Sequence, residues 1–312
     1  MLLSVIVPCF NEEAAVPLFY EAITKTTDDM RKTWKELETE FLFIDDGSTD
    51  KTLSEVRSLR EKDERVRFVS FSRNFGKEAG IYAGLENSRG DYVVIMDVDM
   101  QDPPSLLPEM FSCVYEEGFD SAATRRVTRK GEPAVRSFFA RQFYKLINRI
   151  SETEIMDGAR DYRIMTRQMA DAILSVSEYN RFTKGIYGWV GFRTKWIEFE
   201  NVERIAGETK WSFWKLFQYA LEGIMAFSTT PLSIATLFGI LMSFMAFLFI
   251  LVIIARQVLH LAESAYGWSS LVCIILLISG IQLFCIGIVG QYLSKTYLET
   301  KKRPLYIAKE KT

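Results

Sequence analysis

The chain has 312 residues, 48% of them hydrophobic and 25% charged, with a formal net charge of −2. With 13% aromatics and no Pro/Ser/Gln-rich tract it is not a disordered chain. Four scattered cysteines (Cys9, Cys113, Cys273, Cys285) exclude a disulfide scaffold, and the single histidine, His260, excludes a His-based metal site or triad within the chain. The near-zero charge argues against nucleic acid as a partner. These averages hide a segregation: residues 223–294 carry only two formal charges, Arg256 and Glu263. A charge-rich part is followed by an apolar part, as in a soluble domain joined to a membrane anchor.

In chain order, the opening MLLSVIVPCFNEE lacks the basic start and small-residue cleavage site of a secretory signal. It reads as a buried strand entering a loop, in a domain expected to stay in the cytoplasm. Further β-branched runs follow: FLFID from Phe41, VRFVSF from Val66, DYVVIMD from Asp91 and DSAAT from Asp120. Between them lie amphipathic stretches such as KTLSEVRSLREKD, apolar at Leu53, Val56 and Leu59. Near-continuously apolar strands separated by helices predict an α/β fold, a doubly wound, mostly parallel sheet covered on both faces. Ligands of such sheets bind beyond the carboxyl ends of the strands.

The four loops at those ends are polar: PCFNEE, DDGSTD, SRNFGKE and DVDMQDPP. Some of their residues have structural explanations. Asp50 suits the N-cap of the helix beginning near Lys51, Gly47 a positive φ in its turn, Glu13 a first helical turn, and Asp45 the end of its strand. Asp97 and Asp99 are different. Two carboxylates two residues apart after an apolar strand repel unless a cation lies between them, and oxygen-only ligation suits Mg²⁺ or Mn²⁺ bridging to phosphate. Neither a G-x-G-x-x-G after a strand nor a G-x-x-x-x-G-K-[ST] motif occurs, which argues against dinucleotide oxidoreductases and P-loop NTPases.

From Arg125 to Arg149 eight Lys/Arg face one acid, Glu132. Gly131 and Pro133 make its first half a loop, and a cationic loop suits phosphates. Next come MDGARDYRIMTR, with Asp157, Arg160, Asp161 and Arg163, and VERIAGETKWSFWKL, whose Arg204 and Lys210 flank Gly207 as a phosphate clamp. Pro231–Ala255 and Ser270–Leu293 are uncharged. As a helix the former would span about 37 Å, against a hydrocarbon core of about 30 Å. The connector from Arg256 to Ser269 has one Lys/Arg and the tail from Lys295 six, so the positive-inside rule puts both ends in the cytoplasm. The expected organisation is a catalytic domain over 1–209, an interfacial amphipathic helix over 210–228, a two-helix membrane region over 229–294 (spans about 231–255 and 270–293), and a basic tail over 295–312.

The loops PCFNEE, DDGSTD, SRNFGKEAGIYAGL and DVDMQDPP resemble the successive motifs of family 2 glycosyltransferases. DYRIMTR, R-x-x-G-x-T-K-W and GQYLSKTYLETKKRPLY narrow the resemblance to the polyprenyl-phosphate (bactoprenol) glycosyltransferases, which are related to dolichyl-phosphate mannose synthases. It spans nearly the whole chain. It implies a GT-A type nucleotide-sugar domain and inverting transfer of a hexose, glucose or N-acetylglucosamine, from a UDP-sugar to a polyprenyl phosphate such as undecaprenyl phosphate. The product would be a lipid-linked sugar for cell-envelope glycosylation, made at the plasma membrane with the catalytic domain and both termini cytoplasmic. A homo-oligomer, such as a tetramer, is compatible with it.

The resemblance also implies roles. Pro8, Asn11, Glu12 and Asp46 hold the uridine, with Arg73 and Lys77 nearby. Asp97 and Asp99 hold Mg²⁺ or Mn²⁺ on the diphosphate, Asp99 the more directly. Gln101 sits by the sugar, and Arg126, Arg129, Arg204 and Lys210 meet phosphates, including that of the lipid acceptor. Asp161 lies at the sugar or acceptor side, with Asp157 the competing choice; Asp99, Asp161, Asp157 and Gln101 form the implied catalytic set. The family commonly has a small residue where Arg160 stands. A processive polysaccharide synthase is the rival enzyme, but its Q-x-x-R-W motif has no counterpart, since no Arg-Trp pair occurs. A non-catalytic, membrane-anchored nucleotide-binding subunit is the other alternative.

Overall fold

The computed structural model describes residues 1–126, 142, 148–149, 156, 158–199, 224–258 and 267–312. They belong to two compact units, Met1–Gly223 with Arg303–Thr312, and Ile224–Lys302.

The first unit runs β1 (Leu2–Cys9), α1 (Ala15–Thr33), β2 (Glu38–Asp45), α2 (Thr52–Lys62), β3 (Val66–Phe71), α3 (Lys77–Asn87), β4 (Tyr92–Ile95), a 3₁₀ turn (Pro104–Leu106), α4 (Leu107–Tyr115), β5 (Ser121–Arg126), β6 (Ala159–Thr166), α5 (Arg167–Ser175), α6 (Thr183–Trp189) and β7 (Thr194–Phe199). A last strand, β8 (Ala308–Lys311), follows the second unit in sequence. The sheet order is β7-β5-β6-β4-β1-β2-β3-β8. β4, β1, β2 and β3 are mutually parallel, the expected doubly wound core. Five consecutive residues of β1, Leu3 to Val7, are buried because both faces are covered. On one face Phe19 of α1 meets Phe43 of β2 edge to face, centroids 6.4 Å apart. On the other, Gly80 and Gly84 of α3 lie against Pro8, Ile44 and Ile6.

The flank departs from a purely parallel reading. β5, the DSAAT strand, is parallel to β7 but antiparallel to β6, and β6 is also antiparallel to β4. This reversed strand carries the DYR motif and runs its start, Ala159 to Asp161, past the carboxyl end of β4. At the opposite edge β8 pairs antiparallel with β3, so the end of the basic tail completes the sheet.

The second unit holds α7 (Thr230–Val258) and α8 (Trp268–Thr300). Within them Thr230–Phe249 and Ile274–Thr300 are long and apolar enough to cross a membrane, each with mean hydropathy 2.2. The Tyr292 hydroxyl of α8 donates to the Ser228 carbonyl, 2.6 Å away, ahead of α7. Most of the helix expected over 210–228 lies outside the described residues.

Candidate active site

The first two strand ends form one clamp. Asn11 sits in the left-handed region (φ 54°), and its Oδ1 accepts from the Thr49 amide at 2.8 Å. The amides of Asn11 and Glu12 donate to Ser48 Oγ (3.0 Å) and Thr52 Oγ1 (2.8 Å). Glu13 Oε2 accepts from the Lys51 amide at 2.9 Å, and Asp50 Oδ1 from the Thr52 amide at 2.9 Å. Asp50 is not the N-cap expected of it: α2 begins at Thr52 with Lys51 as its N-cap, and Asp50, one residue earlier, holds the Thr52 amide instead. Asp45 ends β2 by accepting from Ser70 Oγ (2.7 Å) and the Ser48 amide (3.0 Å). Gly47 has φ 68°, and a Cβ there would lie 2.5 Å from the Arg73 carbonyl carbon, so both the turn and the crossing chain require glycine. Pro8 lies just past the point where β4 leaves β1, the Met96 amide having bonded Ile6, so its missing N–H costs no ladder bond.

Asp46 accepts from the Phe75 (2.6 Å) and Gly76 (2.9 Å) amides. Burial pushes its carboxyl above the usual range despite these bonds. Arg73 stacks on Phe75, 4.0 Å from the ring centroid, and donates to the Asn74 carbonyl rather than joining the acidic cluster.

That cluster forms around Lys77, the first residue of α3. Its ammonium lies 2.7 Å from Asp97 Oδ1 and 2.5 Å from Asp161 Oδ2. Burial disfavours the Lys77 charge, yet Asp161 and Asp97 outweigh it and hold the ammonium above its ordinary range. Asp161 is correspondingly below the carboxylate range: burial opposes its charge, but Lys77, Lys184 and Arg160 prevail. The repulsion expected of the Asp97/Asp99 pair is thus relieved at Asp97 by a protein cation. Asp99 Oδ1 accepts from the Gln101 amide at 3.2 Å.

Arg160 bridges back to the same loop. Its Nε donates to Asp102 Oδ1 (3.1 Å) and its Nη2 to Gln101 Oε1 (3.4 Å). Asp102 is fully buried; burial lifts its carboxyl to about 6, with Arg160 pulling it down and Asp97 pushing it up. The structure therefore joins Lys77, Asp97, Asp161, Gln101 and Arg160, with Asp99 in the same loop, while Asn11, Glu12 and Asp46 organise the neighbouring loops. Arg126 ends β5, its amide bonded to the Gly158 carbonyl at 3.0 Å. Asp157, Arg129, Arg204 and Lys210 lie outside the described residues. Sequence reading passed over Lys184, whose ammonium donates to the Ala159 carbonyl at 3.1 Å. Its one signal was a cation beside the glycine of TKGIYGW.

Residues 4–174 match the model of glycosyl transferase family 2. The chain belongs to that family. This glycosyltransferase is 40% identical over 309 residues to an Escherichia coli (strain K12) protein called prophage bactoprenol glucosyl transferase homolog, covering 99% of each chain. It is 38% identical over 311 residues to the bactoprenol glucosyl transferase of Shigella phage SfX, covering 100% of both. Among solved structures, glucosyl-3-phosphoglycerate synthase from Mycobacterium tuberculosis is 18% identical with a TM-score of 0.47, over 72% of this chain and 78% of that one.

Proposed function

We propose that this glycosyltransferase moves glucose from UDP-glucose to the phosphate of a membrane polyprenyl phosphate, with inversion at the anomeric carbon. The observation that carries the reading is end-to-end likeness, at 38–40% identity, to bactoprenol glucosyl transferases. The domain boundaries expected from the sequence, the interfacial helix over 210–228 included, belong to the same proposal.

The chemistry needs no strong base. A phosphate monoester has its second pKa near 6, so at pH 7 the attacking oxygen is already largely anionic. That oxygen forms a bond to C1 of glucose as the C1–O bond to UDP breaks, and UDP leaves with the electron pair. The product is a glucosyl phosphodiester, and no proton has to move. The chain's contribution is to position both anions. Asp161, held ionised by Lys77, suits orienting a sugar hydroxyl or the oncoming charge, not deprotonation. Gln101, steered by Arg160, suits the sugar. Asp46 would face the uracil end of the donor, with Asn11 and Glu12 shaping the wall beside it.

Among the described residues no group of three or more His, Cys, Asp or Glu could hold a metal by themselves. Asp97 and Asp99 offer oxygen ligands only, which fits Mg²⁺ or Mn²⁺ whose remaining ligands come from a diphosphate. Such an ion, when bound, would offset charge on the departing UDP.

Two apolar helices and a lipid acceptor support placement in the plasma membrane, catalytic domain and both termini on the cytoplasmic side. The test is transfer by the purified full-length protein from radiolabelled UDP-glucose to a short polyprenyl phosphate. A β-linked glucosyl phospholipid, abolished by excess chelator, is expected. No lipid-linked product from any of a panel of UDP-sugars would overturn the reading.

A further inference from the structure

Between β6, β7 and α6 lies a cavity of about 260 Å³. Three cations line it, Arg160, Arg163 and Lys184, together with Tyr187, Phe192 and Trp196. No carboxylate is among its described lining residues.

Arg163 is the telling group. It is 3% exposed, and its Nη1 donates only to hydroxyls, Ser121 Oγ and Thr194 Oγ1, both at 3.1 Å. Its guanidinium lies 4.3 Å from the Tyr187 ring centroid and 5.3 Å from that of Trp196. The Nε is buried without a partner among the described residues, as is the Tyr187 hydroxyl. Burial lowers the Arg163 pKa to about 10, with Tyr187 and Asp161 opposing the shift. The group is therefore still charged at neutral pH. A buried cation held by hydroxyls and ring faces alone is expensive unless an anion joins it.

Its neighbours point the same way. The Lys184 ammonium has three donors, of which one goes to the Ala159 carbonyl. The nearby carboxylates are engaged elsewhere, Asp102 by Arg160 and Asp161 by Lys77. Asp161 directly follows Arg160 in β6, so the cavity adjoins the acidic cluster. Arg163 and Lys184 match the two charges of a phosphate monoester dianion, and Phe192 and Trp196 offer apolar surface to a chain attached to it.

We propose that this cavity seats the phosphate of the acceptor, with Arg163 and Lys184 on its oxygens and Phe192 and Trp196 against the first carbons of its chain. The proposal deepens the lipid-phosphate reading above and rests on it. It assigns the acceptor to residues other than Arg126, Arg129, Arg204 and Lys210.

The experiment titrates the full-length protein in detergent with citronellyl phosphate, inorganic phosphate and UDP separately, and measures the acceptor KM. In Lys184→Gln, affinity for citronellyl phosphate should fall and acceptor KM rise by tenfold or more, with UDP affinity within twofold of wild type. Arg163→Lys should keep more acceptor affinity than Arg163→Gln, and Lys184→Gln carries the test if the latter fails to fold. Inorganic phosphate should bind the wild type at least tenfold more weakly than citronellyl phosphate; equal affinity would overturn the role of the apolar wall. Unchanged acceptor KM in Lys184→Gln and Arg163→Lys, or a parallel loss of UDP affinity, would overturn the site while leaving the transferase reading intact. Absence of any transfer by wild type would count against that reading alone, because citronellyl phosphate binding and its loss in Lys184→Gln still decide the cavity.

Discussion

At Lys77 one ammonium holds two carboxylates that belong to different strands, Asp97 after β4 and Asp161 in β6. Removing it as Lys77→Met takes away the cation the two carboxylates share and leaves Asp161 to Lys184 and Arg160 alone. Because Lys77 is 40% exposed, the cost should sit below that of a fully buried pair, about 1–3 kcal/mol, read as a lowered urea midpoint with activity lost. Asp99 is a different case. It is half-buried, and Asp99→Ala should leave the protein folded. Transfer should nevertheless fall about 100-fold or more, since even groups behind a metal ligand are commonly worth 10–100-fold. Near wild-type turnover in that variant would remove Asp99 from the metal site. That Asp97 and Asp99 leave the end of a buried strand was legible from the apolar run before them. That Lys77 would join Asp97 to Asp161 was not, because the contact depends on α3 delivering its first residue to the reversed strand β6.

Among the elements, α3 can make that delivery because it packs closely on β1. A Cβ on Gly84 would fall well inside van der Waals contact with Ile6 Cγ2. Gly84→Ala should therefore cost about 1–3 kcal/mol by overpacking, and a double-mutant cycle with Ile6→Ala, which removes the Cγ2 in contact, should recover part of it as coupling energy. At the far end of α2, Asp63 accepts from Arg65 Nε at 3.0 Å and the Tyr20 hydroxyl at 2.6 Å. Burial pushes Asp63 up, but hydrogen bonds from Arg65 and Tyr20 outweigh it and leave the carboxyl below its ordinary range. A depressed carboxylate stabilises the fold above the ordinary pKa near 4, and that contribution fades as pH falls through the depressed value. Asp63→Asn should thus lower stability by about 1 kcal/mol at pH 7, and the gap to wild type should close on acidification; a constant gap down to pH 2 would refute the assignment. β1 to β4 were readable from apolar runs because both of their faces are covered. β6 was hidden, since ARDYRIMT puts Arg160, Asp161 and Arg163 into a strand in which they serve the cavity and the cluster. β8 was hidden too, as AKEK is polar in the way an exposed edge strand should be.

For the molecule as a whole, β8 imposes a constraint that hydropathy alone does not. Residues 308–311 pair with Val69, Ser70 and Phe71 of β3, and Arg57 of α2 forms an ion pair with Glu310. Tyr306, just ahead of β8, stacks on Phe71 with centroids 4.8 Å apart. Leu2–Cys9 and residues 308–311 therefore belong to one sheet. A chain that leaves that sheet after β7 and returns to it at β8 crosses any bilayer an even number of times, zero included, and among the described residues α7 and α8 are long and apolar enough to do so. The segment 259–266, which holds no Lys or Arg against the six from Lys295 onward, would then lie on the opposite side. Topology reporters fused after Thr312 and inserted within 262–267 should accordingly report opposite sides. Phe71→Asp, which places a charge under Tyr306 and beside β8, should expose the C-terminal segment to protease. The same variant should leave the reporter in the connector unchanged. Reporters on the same side would mean that neither helix spans and that both lie along the membrane surface.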